Sequence, residues 1–348
     1  MLVYWSLFAY FVTGSLFSKA EERSTSSHVR PMLAVGALAI AILIGFRYEV
    51  GADWRQYERM FTYAHFADLG RMLEVGDPGY QLLNWGVEQV GGGLWLVNLV
   101  GGLIFAWGLL RFAAAQPDPW LAMVVAIPYL VVVVGMGYSR QALAIGILMA
   151  GLASVARNPS ILRFALYVTA AALFHKTAVI VFPLVAFAQH RNRFTNFLIM
   201  AAASISLYDF FLRDTMQAFV ENYIEAEYSS EGAAIRVAMN VVPAMLLLLF
   251  RKRFAFSKQQ YTLWRNFSLA AVGLVVLLVV LPSSAAVDRM ALYIIPLQIA
   301  VLTRVAGTIL SSSAGKAVII AYSTAVFFVW LNFAVHAQYW VPYRFYPL

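Results

Sequence analysis

Six short clusters hold the residues of this sequence that could do chemistry, and long apolar runs separate them. They are Arg47; Asp53 and Tyr57 within Gly51-Ala52-Asp53-Trp54-Arg55-Gln56-Tyr57; Asp77-Pro78-Gly79-Tyr80; Arg140-Gln141 after Gly135-Met136-Gly137-Tyr138-Ser139; His175-Lys176; and Asp288-Arg289 with Tyr293 one turn later. Arginine and lysine around one site suit a phosphate-bearing ligand, because the guanidinium fork matches phosphate oxygens. Tyrosine and tryptophan beside them can stack on sugar rings and also suit a membrane interface. A carboxylate and a histidine supply candidate general bases. There is no His-Glu-x-x-His, no phosphate-cradling glycine loop, no nucleophile elbow and no cysteine. No nucleotide or metal cofactor is therefore expected.

Each residue also has a plainer reading. Arg47 either meets a ligand or anchors a helix end at the headgroups. Arg140 follows an apolar run with no acidic neighbour in sequence, which favours function. His175 is either a base or a hydrogen-bonded structural histidine. Asp53 is either a base or the N-cap of a short outer helix. Asp288 either serves the site, or only pairs with Arg289 or caps the eleventh span. His28, His65, His190 and His336 read as loop or surface residues, and the acidic stretch 209–231 as a solvated loop.

The elements that must position these residues follow from composition. Of 348 residues, 62% are hydrophobic and 12% charged. Soluble domains carry about 45–50% and about 25%, so a soluble fold, a disordered chain and an alternating β-barrel are excluded. An all-α polytopic membrane protein remains. A span needs about 20 apolar residues, and twelve full or partial segments fit: 2–17, 32–46, 93–111, 120–136, 139–156, 161–174, 176–188, 194–208, 236–250, 262–281, 290–305 and 315–333. They form one transmembrane domain over 1–348, with outer-face segments 47–92 and 209–235; Gln81–Gln89 reads as a surface-lying amphipathic helix. If loops 18–31, 111–119, 157–163, 189–193, 251–265 and 304–316 are cytoplasmic, they hold 15 of the 25 basic residues and 3 of the 17 acidic ones. One face then nets +12 and the other −4, as the positive-inside rule expects. The net charge of +8 thus reads as membrane topology, and no nucleic-acid partner is expected. Both termini fall outside, and every cluster falls at the outer end of a span. Ionisable groups at membrane depth default to function, so one outward-facing cavity is the expectation.

The clusters together resemble a family signature. Phe46-Arg47-Tyr48-Glu49-Val50-Gly51-Ala52-Asp53-Trp54-x-x-Tyr57 is similar to the Arg…Gly-x-Asp-Tyr-x-x-Tyr motif of the EpsG group of Wzy-type polysaccharide polymerases. Asp77-Pro78-Gly79-Tyr80-x-Leu82-Leu83-Asn84, Ser139-Arg140-Gln141-x-Leu143-Ala144, Phe174-His175-Lys176-Thr177-Ala178, Arg289-x-x-x-Tyr293 and Trp340-Val341-Pro342-Tyr343 follow in the same order. Trp54 and Lys176 depart from it, where a tyrosine and a small polar residue are expected.

The resemblance implies an integral-membrane glycosyltransferase of GT-C type in the bacterial inner membrane. It would join repeat units carried on undecaprenyl diphosphate at the periplasmic face, with membrane lipid, a flippase and a chain-length regulator as partners. His175, Asp53 and Arg140 would be catalytic. Arg47, Arg289, Lys176, Gln141, Tyr57, Asp77, Tyr80 and Tyr293 would bind diphosphate and sugar. Inversion and metal independence are expected. A lipid-linked oligosaccharide flippase, a ligase moving glycan onto lipid A or protein, and a non-enzymatic export scaffold are the rivals. A flippase should show access from both faces and related halves.

Overall fold

A computed structural model describes residues 1–18, 29–188, 205, 230, 232–281 and 283–347. The expected span at 194–208, most of the outer segment 209–235, and the loops 19–28 and 189–193 lie outside the described residues. The chain forms two compact units. The first comprises residues 1–150, 170–175 and 320–348, and the second 151–169 and 176–319.

The helices run α1 (Leu2–Phe17), α2 (Val29–Gly45), α3 (Trp54–Phe66), α4 (Leu69–Glu74), α5 (Pro78–Gln89), α6 (Leu94–Ala113), α7 (Pro119–Ala126), α8 (Ser139–Arg157), α9 (Ile161–Phe174), α10 (Val181–Ala186), α11 (Ala233–Leu249), α12 (Lys258–Val280), α13 (Ser284–Leu292), α14 (Ile295–Val305) and α15 (Ser312–Phe333). A π-helix, Ile127–Gly135, continues α7, and 3₁₀ turns cover Lys176–Ile180 and Val335–Tyr339. Among the described residues there is no strand, only isolated bridges, and the expected apolar segments other than 194–208 fall largely on helical residues. Four helices, α6, α8, α12 and α15, are long and apolar enough to cross a membrane; the bent pair α13–α14 makes a fifth. The protein is an all-α, multi-pass membrane protein. Leu269, Val276 and Val279 of α12, and Val318, Phe328 and Phe333 of α15, are exposed, as suits helices that face lipid tails.

In the first unit, every residue of α7 and of the π-helix after it is buried. A helix apolar all round belongs in a core. Pro128 lies in its first π turn and removes one backbone donor from the ladder there. Around this rod, α2 lies along α6 and α1 along α7. α6 crosses α8 at Gly108 and Gly146, where a Cβ on Gly108 would overlap the Gly146 carbonyl. Small residues let membrane helices approach this closely.

The C-terminal segment closes the same unit. Trp340 is 1% exposed; its indole N–H donates to the Val132 carbonyl at 2.8 Å, and its own carbonyl accepts from Tyr4 Oη at 2.7 Å. Tyr343 Oη donates to the Leu43 carbonyl at 2.9 Å. Phe345 pairs with Arg47 as an antiparallel bridge, and Phe46 stacks between Trp95 and Phe345. Residues 339–346 thus strap down the 43–51 turn.

In the second unit α11 packs against α12, α13 and α14. A Ser257–Gln260 capping box starts α12. The eleventh segment, expected as one span, is broken: α13 and α14 meet at 52°. Pro296, in the first turn of α14, has no N–H to give the Leu292 carbonyl, so the helix parts one turn before it. Tyr293 sits in that break, no longer on one continuous helical face with Arg289.

Candidate active site

The first unit gathers several of the expected residues around one ion pair. Arg140 is the second residue of α8, and its Nη1 donates to Asp77 Oδ2 at 2.7 Å. The side chains are 22% and 7% exposed. Asp77 occupies the N-cap position of α5, followed by Pro78, yet makes no capping bond to its own helix. Proline suits that first position, and the helix N-terminus adds a favourable field for the carboxylate. The Arg140 backbone N–H points to Tyr57 Oη at 3.5 Å. Tyr57 and Tyr80, both buried, meet edge to face with centroids 5.7 Å apart. Buried Nε of Arg140 has no protein partner.

Gly79 allows α9 to join this group. A Cβ there would lie 3.0 Å from the Leu173 carbonyl oxygen, so only glycine lets α5 come so close to the end of α9. Phe174 packs against the Tyr57–Tyr80 cluster, and the half-buried His175 follows it, its N–H bonded to the Ala171 carbonyl. Asp53 holds the N-cap position of α3, again without a side-chain cap bond. Gln141 is 1% exposed.

Arg47 is placed differently from the others. It is 1% exposed. Its guanidinium donates to the Ile44 carbonyl at 2.5 Å, Asn98 Oδ1 at 3.0 Å and Ser139 Oγ at 2.6 Å, and lies over the Trp54 ring. It bolts the end of α2 to α6 and to the first residue of α8, next to Arg140. Burial pushes its pKa down, but an arginine keeps its charge. Burial, more than the neighbouring Tyr57, pushes the Tyr80 phenol up, so it stays a neutral hydrogen-bond donor.

The other expected residues belong to the second unit, which resumes at Lys176 after His175. Thr177 Oγ1 and Tyr293 Oη are 3.1 Å apart, and Lys176 and Arg289 are half-buried. Asp288 does not pair with Arg289. It is held by Arg236 of α11 through Nε to Oδ1 and through Nη2 to Oδ2 at 2.8 Å. Ser230 Oγ donates to the same carboxylate at 3.0 Å. One turn along α11, Asn240 bonds the Ala291 carbonyl and Gln298, both at 2.8 Å. Among the described residues no group of three or more histidines and carboxylates is placed to hold a metal.

Comparison with known proteins adds one match. The family model EpsG matches residues 32–345, nearly the whole chain. The chain belongs to the EpsG family. This is a Wzy-like polysaccharide polymerase family, so a polymerase role, lipid-linked oligosaccharide substrates and a membrane setting go with membership. No curated protein and no solved structure matches the chain. The EpsG match contains all six clusters and ends at Phe345, the residue bridged to Arg47.

Three participants were not singled out from sequence. Asn98 is the one amide in the apolar run of α6, and Arg236 the one charge between residues 232 and 250. Both satisfy the rule that polar groups at membrane depth have a purpose. Ser139 stood in a motif but without a role.

Proposed function

We propose that this EpsG-family member is a GT-C-type polymerase acting at the extracytoplasmic face of the bacterial inner membrane, with both termini on that side. The growing glycan moves from undecaprenyl diphosphate to a sugar hydroxyl of an incoming lipid-linked repeat unit. The bond from anomeric carbon to phosphate oxygen breaks, and the bond to the acceptor oxygen forms on the opposite face. The anomeric centre therefore inverts. The hydroxyl proton passes to His175 or Asp53, and undecaprenyl diphosphate leaves as the anion. A flippase and a chain-length regulator would be the pathway partners.

The observation that carries this reading is the partly buried Asp77–Arg140 pair in a tyrosine-lined setting. Asp77 orients the fork, and the part of the Arg140 side chain left exposed supplies donors to a departing phosphate oxygen. Preorganised donors of this kind contribute about 3–4 kcal/mol to a transition state. His175, at the end of α9 beside Phe174, is the preferred base, since an ordinary imidazole accepts a proton near neutral pH. Arg47 has its fork in protein hands, so it positions Ser139 and Arg140 and does not meet the ligand. Arg289, Lys176 and Tyr293 are assigned to substrate binding by their motifs. Arginines take the place of a divalent cation, so EDTA should leave the rate unchanged.

Profiling lipid-linked glycans in a deletion strain tests the reading. Single repeat units left on lipid at the outer face support polymerisation. Units trapped on the inner leaflet would mark a flippase instead and overturn it.

A further inference from the structure

The Arg47 guanidinium is a buried positive charge whose protein partners are all neutral. Its donors go to a backbone carbonyl, an amide oxygen and a hydroxyl. Two nearby carboxylates are engaged elsewhere, Asp77 with Arg140 and Glu49 with Arg344. The C-terminal end of α2, whose Ile44 carbonyl it touches, offers about half a negative charge. A buried ion left without a full counter-charge is costly.

A small cavity adjoins this charge. About 10 Å³ in volume, it is lined by Arg47, Tyr80, Asn98 and Ser139, with apolar walls from Ile44 and Phe105. Three polar atoms of its lining residues are buried without a protein partner: Arg47 Nε, Asn98 Nδ2 and Tyr80 Oη. All three can donate a hydrogen bond, and two can do nothing else. Residues carrying them come from the end of α2, from α5 and from α6, so the lining is built from separate elements around one point.

We propose that this cavity is a binding site for a single small monovalent anion of the halide class, chloride under ordinary conditions. A net positive charge selects against cations, and three unpaired donors offer an anion its hydrogen bonds. The small volume suits a monatomic ion better than a polyatomic anion or a part of a glycan lipid. Water would satisfy hydrogen bonds yet leave the charge uncompensated; chloride does both. The bound anion would lock α2, α5, α6 and the start of α8 together around the Arg47 turn. The site is separate from the phosphate chemistry of Arg140, and its test does not depend on polymerase activity.

The test uses the purified full-length protein in detergent, unfolded thermally in sodium chloride and in sodium gluconate at equal ionic strength. Chloride should raise the melting temperature, and the rise should continue logarithmically with its concentration. Above the dissociation constant, each tenfold rise in chloride should increase the folded-to-unfolded ratio about tenfold. Asn98→Asp places a carboxylate beside Arg47 and should abolish the chloride response, with stability in gluconate at or above that of the wild type. Crystals grown in bromide should show an anomalous peak beside Arg47 Nε. The proposal is overturned if wild-type stability is the same in both salts. It is equally overturned if Asn98→Asp retains the full chloride response, or if the bromide crystals hold only water there. Should Asn98→Asp not fold, the wild-type salt comparison and the bromide peak decide.

Discussion

Replacing Asp77 by asparagine keeps the side-chain shape and removes one charge from the Asp77–Arg140 pair. The N–O distance is 2.7 Å and the two side chains are 7% and 22% exposed. Two charges about 4 Å apart at an effective dielectric constant of about 20 attract by roughly 4 kcal/mol. Removing one partner of a fully buried pair costs about 3–5 kcal/mol. The residual hydration of Arg140 lowers that, so Asp77→Asn should destabilise the protein by about 2–3 kcal/mol. The catalytic effect should exceed what reduced abundance explains. A fork freed from its carboxylate drifts, and a misplacement of about 1 Å can cost about 10²-fold. The assay is polymer formed per unit time from lipid-linked repeat units in membranes, normalised to protein level by immunoblot. Arg140→Met alone should lose about 10²–10³-fold. If Asp77 acts through Arg140, the double variant should be no worse than Arg140→Met. A double variant whose loss is the product of the two single losses would refute the reasoning, as would an Asp77→Asn enzyme with wild-type turnover.

Other expectations follow from the same geometry. Arg236→Lys keeps the charge but loses the two-pronged grip on Asp288; stability should fall by about 1–2 kcal/mol, read by thermal unfolding in detergent. Gly79→Val drives side-chain atoms into the Leu173 backbone and should cost about 1–3 kcal/mol by overpacking, with polymer length falling as α5 backs away from α9. Trp340→Phe leaves the Val132 carbonyl without its indole donor and should destabilise by about 1–3 kcal/mol. His175→Gln should lower turnover by about 10²–10⁴-fold with normal membrane abundance; unchanged chain growth would move the base role to Asp53.

The helical, membrane-bound class was legible from composition, because 62% apolar residues admit few alternatives. The apolar segments were legible too, since hydrophobic runs report burial in lipid or core directly. Breaks in helices were harder to read. Pro296 forced one inside a segment that hydropathy treats as continuous, while Pro128 left α7 running on as a π-helix. The clusters could be found because charges stand out against apolar surroundings, but their pairings could not. Asp288 looked matched to its neighbour Arg289, yet its partner Arg236 lies 52 positions away. Arg140 had no acid beside it in sequence and found Asp77 across 63 positions. Side-chain partners are set by helix packing, which a linear string does not display. The same holds for Arg47, whose fork meets Asn98 and Ser139, 51 and 92 positions away.

The strap at residues 339–346 gives the chain an order of assembly. Tyr343 reaches Leu43 across 300 positions, and the aromatic sandwich around Phe46 needs Phe345. The turn that fixes Arg47, and through it the start of α8, is completed only once residues 339–346 have been made. A chain lacking residues 339–346 would leave that turn, and the Arg47 fork within it, without its brace.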